Sequence, residues 1–120
     1  MDNITRIKER LTRLQAEKGI LKADIDKRRD SDDAEVIALL EEKLAVCERS
    51  IRCTDRKVSG VLKHIRDPKL HNILKSKIYT TLTWEEMAEQ MNCDVRTLYR
   101  LKKKAETEFN RYLMLTSTLL

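Results

Sequence analysis

The chain is predicted to be all-α: an N-terminal antiparallel helical hairpin of coiled-coil type, then a C-terminal helix-turn-helix domain. Three observations predict this. With only two Gly and one Pro in 120 residues, and 38% of them charged, the chain has few of the turn makers a β-rich fold needs. Apolar residues recur at alternating steps of three and four through the first 65 positions, the rhythm of helices that bury a seam. Around residue 90, two short apolar-faced stretches flank a capping sequence, the layout of a two-helix corner. Aromatics make up only 4%, so the core must be built from Leu, Ile, Val, Met and Ala. Asp67-Pro68 marks the expected border between a hairpin over residues 1–66 and a second domain over 67–120.

The first helix, over residues 2–28, carries Ile4, Ile7, Leu11, Leu14, Leu21 and Ile25 on one face. Lys18 and Arg28 fall at positions of this seam that call for apolar residues, and such misfits limit register and partner number. The polar run Arg28 to Asp33 ends the pattern, and Asp32 followed by Glu35 offers a new helix start. In the second helix Ile37, Leu40, Leu44, Cys47, Ile51, Thr54, Val58, Val61 and Ile65 keep the rhythm over about 33 residues, about 50 Å of helix. Gly60 is a place where it can bend. Two seams joined by a short polar turn fold back on each other. The first cannot cover all of the second, so a second copy of the chain is expected to bury the rest, making a homodimer.

Asp67 caps and Pro68 opens the next helix, over 68–79, with Leu70, Ile73, Leu74 and Ile78 inward. Its Lys69, Lys75 and Lys77 read equally well as phosphate contacts and as solvated charges. Thr83 with Glu86 three residues on is a capping box, and Met87, Ala88 and Met91 give the short helix after it an apolar face. Ala88 sits where two helices cross closely and a small side chain is required. Asn92-Cys93-Asp94 makes the turn, with Asn92 able to adopt the left-handed backbone and Asp94 able to cap the last helix.

That last helix, from 94 to about 114, turns the stripe Val95, Leu98, Leu101, Ala105, Phe109 and Tyr112 inward. Arg96, Arg100 and Lys103 point the opposite way, with Tyr99 at their flank. Between Asp94 and Lys104 lie five basic residues and one acid, while the preceding helix carries Glu85, Glu86 and Glu89. A basic second helix suits a major groove, where Arg reads guanine and Lys meets phosphate. Arg96, Tyr99, Arg100 and Lys103 are the candidate base-facing residues. Thr83, Thr97, Lys102 and Lys104 are the candidates for backbone contacts. Leu113, Met114, Leu115, Leu119 and Leu120 either extend the packing or form a frayed tail.

Residues 70–106, above all TWEEMAEQMNCDVRTLYRLKKKAE, resemble the C-terminal domain of the phage transcriptional regulators of the ArpU/RinA family, related in shape to domain four of sigma factors. The resemblance runs through Thr83-Trp84, Met87-Ala88, Arg96-Thr97-Leu98-Tyr99-Arg100-Leu101 and Ala105, with Asn92-Cys93-Asp94 in place of the usual turn. It covers about a third of the chain. It implies sequence-specific binding of double-stranded DNA and control of phage late or packaging genes. It also implies host RNA polymerase as a further partner and the bacterial host's cytoplasm as the compartment.

Other classes find less in the sequence. The net charge of +5 permits nucleic acid without requiring it. No apolar stretch approaches membrane-spanning length, and the polar N-terminus is unlike a secretory signal. Three Cys at irregular spacing describe no disulfide framework, which points to a reducing compartment. Cys47, Cys53, Cys93, His64 and His71 lack the close pairing of a zinc site, so no metal or other cofactor is expected. No phosphate loop or nucleophile motif is present, so the chain is not expected to be an enzyme. Two rival readings keep the same helices: a DNA-packaging component of the small-terminase kind, and a helical interaction module that binds no DNA.

Overall fold

The structure is a computed structural model that describes residues 2–31 and 33–118. The fold is all-helical, with no strand among the described residues. Its helices are α1 (Asn3–Arg28), α2 (Ala34–Leu62), α3 (Pro68–Tyr79), α4 (Trp84–Gln90) and α5 (Val95–Thr118). They divide into two compact units, one of Glu9–Arg56 and one of Met1–Lys8 with Lys57–Leu120. The helix break at Asp67-Pro68 therefore lies inside the second of these, which also takes in the first turns of α1 and the last turns of α2.

In the unit Glu9–Arg56 the two seams face each other. Leu11, Leu21, Ile25, Cys47 and Ile51 are buried. The Cys47 thiol donates to the Leu14 carbonyl at 3.2 Å. These two residues lie about equally far from the turn at Ser31, as helices running back along each other require. Burial, the largest influence, raises the Cys47 thiol above its ordinary pKa, so it stays protonated. Two of the three polar seam residues, Thr54 and Arg28, have local explanations. Thr54 is buried with its hydroxyl donating to Ser50 O at 2.9 Å, so no donor is stranded. Arg28 reaches Asp24 at 3.1 Å and Asp33 at 3.5 Å, and Ser31 N–H donates to Arg28 O, so the misfit arginine ties the turn together. Asp32, the expected start of the second helix, lies outside the described residues. The carbonyl of Asp33 accepts the first bond of α2, from Ile37 N–H.

The other unit is built on α5, against which α3 packs most extensively and α4 more briefly. Asp67 caps α3 through Lys69 N–H at 3.0 Å, with Pro68 in the first turn where its missing N–H costs nothing. Leu70, Ile73, Leu74 and Ile78 are buried, as are Met87 and Ala88 of α4 and Leu98, Ala105 and Phe109 of α5. Three expectations need correction. The second helix stops at Leu62, short of the expected length, because the chain tightens into 3₁₀-type bonds from His64 to Val61 and from Ile65 to Leu62. Ile65 nevertheless remains buried. Val95 is exposed and not inward, since it opens the first turn of α5 and Leu98, one turn on, is the first residue that is covered. The last helix continues to Thr118, and its Met114 and Leu115 are exposed. The far half of α5 packs through Asn110, which accepts from Asn3 at 2.9 Å, and Tyr112, stacked on His64 at 5.1 Å.

Candidate nucleic-acid interface

The approach to α5 is tightly specified. Thr83 and Glu86 form the reciprocal capping box, the Thr83 hydroxyl accepting from Glu86 N–H at 3.2 Å. α4 then ends in a Schellman arrangement: Cys93 N–H donates to Ala88 O at 3.0 Å and Asn92 N–H to Glu89 O at 3.1 Å. Asn92 carries φ 55°, the only positive value at a non-Gly position among the described residues. Its left-handed backbone turns the chain through the corner. Asp94 then accepts from Thr97 N–H at 2.7 Å and opens α5. Hydrogen bonds from the Thr97 backbone and side chain, and more weakly the Arg100 charge, hold the Asp94 carboxyl below its usual range. It is therefore an anionic cap, as the positive end of a helix favours.

Leu98, Ala105 and Phe109 are wholly buried and set the rotation of α5. The opposite side carries Arg96, Tyr99, Arg100, Lys103 and Lys104, all exposed, and the same face continues to Arg111. Neither arginine of the corner is drawn into the interior. Thr83 is exposed beside the corner and Thr97 is half-buried in the first turn.

Lys102 stands apart from this row. It is directed to the α4 side, with its ammonium 4.6 Å from the Trp84 ring, 5.5 Å from the Tyr99 ring and 3.8 Å from Glu106. Lys77 of α3 also lies 4.6 Å from the Trp84 ring, so one indole serves two ammonium groups, and Tyr99 leans on it at 6.3 Å. Burial first, then the positive charges of Lys8 and Lys102, lower the Lys77 pKa, with Asp2 and Glu106 opposing. This aromatic-cationic cluster joins α3, α4 and α5 at the base of Tyr99. Sequence reading identified its members separately, but no helical period relates Lys77, Trp84 and Lys102, which sit on three different helices.

A concavity of about 420 Å³ lies on the flank of α5 between the loop after α2 and the start of α3. Lys63, Arg66 and Lys104 contribute basic groups to it, Asp67 and Glu108 acidic ones, and His64 and Tyr112 an aromatic wall. The sequence reading assigns no role to Lys63 or Arg66. The available signal was the basic composition of the Lys63–Arg66 run next to the Asp67-Pro68 break.

No family model, curated protein or solved structure matches the chain. No helix among the described residues is long and apolar enough to cross a membrane.

Proposed function

We propose that this chain binds double-stranded DNA sequence-specifically and regulates transcription, with α5 as the helix that enters the major groove. One observation carries the reading. The row Arg96, Tyr99, Arg100 and Lys103 stands outward on a helix whose rotation is set by the fully buried Leu98, Ala105 and Phe109. In this reading the arginines, Tyr99 and Lys103 face base edges, and Thr83, Thr97 and Lys104 steady the phosphates. Lys102, engaged by Glu106 and Trp84, reaches phosphate only by giving up those contacts. The resemblance to the ArpU/RinA regulators supports control of phage late or packaging genes within the bacterial host's cytoplasm, with host RNA polymerase as a partner. A homodimer would present two copies of α5 to a two-part operator.

The test begins with selection of bound duplexes from a random pool, then titration of the enriched site. Arg100→Ala should weaken binding to that site by about 1–3 kcal/mol and relax preference at one base pair. An unchanged affinity removes Arg100 from base reading. Failure to enrich or retain any duplex removes the DNA-binding function.

A further inference from the structure

We propose that the outward face of α2 is a self-complementary surface on which a second copy of the chain lies antiparallel, about a two-fold axis beside Leu44 and Ala45. The inference concerns the dimer in the reading above and is independent of whether α5 binds DNA.

The sequence of α2 carries a second seam, offset by one residue from the buried one. Val36, Leu39, Lys43, Val46, Ser50 and Cys53 repeat the three-four spacing. The structure leaves most of this row outside: Val36 is 36%, Leu39 59% and Val46 53% exposed, with Lys43 and Cys53 exposed as well and Ser50 half-buried. Ile20 of α1, 70% exposed, likewise precedes a buried seam residue by one. In an antiparallel pair such positions of both helices share a face, so Ile20 widens the same apolar surface.

Charge identifies the occupant and its direction. Glu35, Glu42, Arg49 and Arg56 recur every seven residues along one border of this row. All four are exposed, and among the described residues none of them forms an ion pair within the chain. The order is two acids and then two bases. A parallel copy brings acid to the level of acid and base to the level of base. An antiparallel copy brings Glu35 within side-chain reach of Arg56 and Glu42 within reach of Arg49, each about two residues (about 3 Å) off level, and the two-fold axis repeats both pairs. The same register layers Val36 against Cys53, Leu39 against Ser50, and Lys43 against Val46. The aliphatic stem of Lys43 covers Val46 while its ammonium reaches water. The pattern of this surface is thus complementary to itself under one rotation, which is what an isologous interface requires.

The experiment measures association of the full chain by sedimentation equilibrium, with folding of each variant checked by circular dichroism. Glu42→Arg and Arg49→Glu lie on the surface and each turns two attractive contacts into repulsive ones. Each alone should raise the dimer dissociation constant about tenfold or more. An equimolar mixture of the two restores every pair across the axis and should associate as the unaltered chain does. Under mild oxidation Val36→Cys should cross-link to Cys53 of the second copy. Cys53 of the two copies stays about 25 Å apart, from 17 residues of helix rise, and should not cross-link to itself. The proposal is overturned by a monomeric unaltered chain at tens of micromolar, by single reversals that associate normally, or by a mixture that fails to recover. Cross-links from Cys53 to Cys53, or a ring of eight or more subunits indifferent to the reversals, also overturn it. Association that survives without DNA binding leaves this interface standing, and DNA retained by a monomer leaves α5 standing without it.

Discussion

Asn92 holds the only left-handed backbone position outside Gly among the described residues, φ 55°, and the direction of α5 depends on it. Asparagine tolerates this region because its short polar side chain carries less steric cost there, and a β-branched residue does not. Asn92→Val should therefore destabilise the fold by about 1–2 kcal/mol, while Asn92→Gly should cost nothing or stabilise slightly. Paired urea melts check the contrast, and equal loss in both would mean that the Asn side chain, not its backbone, matters. The neighbouring caps were legible from sequence. Thr83, Asp67 and Asp94 each accept the backbone bond that their residue type and position implied.

At the level of the element, α5 combines two tasks that its length makes compatible. Its inner face, through Leu98, Ala105 and Phe109, is buried where α3 and α4 pack on the helix, while Arg96, Arg100 and Lys103 stay exposed. Phe109 is wholly buried, so Phe109→Ala leaves a cavity the surroundings fill only in part. It should cost about 3–5 kcal/mol in a denaturant titration. A loss under about 1 kcal/mol would mean that the helix is anchored elsewhere. The inward stripe was readable from the 3.6-residue period, with Val95 the exception. Periodicity specifies which face a residue occupies, not whether a neighbouring helix extends far enough to cover it. The same limit explains α2, where the period located the buried seam but only the packing showed that Val36, Leu39 and Val46 remain uncovered.

For the molecule as a whole, charge distribution matters more than its sum. The net +5 is modest, yet α5 carries Arg96, Arg100, Lys102, Lys103, Lys104 and Arg111 against Glu106 and Glu108. A duplex bound by this row displaces condensed cations, so the logarithm of affinity should fall linearly with the logarithm of salt concentration. Lys104→Ala should lower the slope by about 1 and weaken all sequences alike, because a phosphate contact carries no base information. Lys102→Ala should change the slope less, its ammonium already lying near Glu106 and Trp84. A binding constant indifferent to salt would exclude phosphate neutralisation as the source of affinity.

Sequence alone determined what depends on neighbours along the chain: the helical class, the buried seams, the caps, the turn at Asn92 and the outward row on the last helix. Each arises from backbone hydrogen bonding and from side-chain spacing over a few turns, which are short-range. Tertiary structure decided what depends on contacts between distant residues. It assigned the first turns of α1 and the last turns of α2 to the unit that holds α3, α4 and α5. It set Lys77 and Lys102 over Trp84, and it left one apolar row of α2 exposed. These outcomes depend on which surfaces meet and how far each helix covers its neighbour, and no local period encodes that.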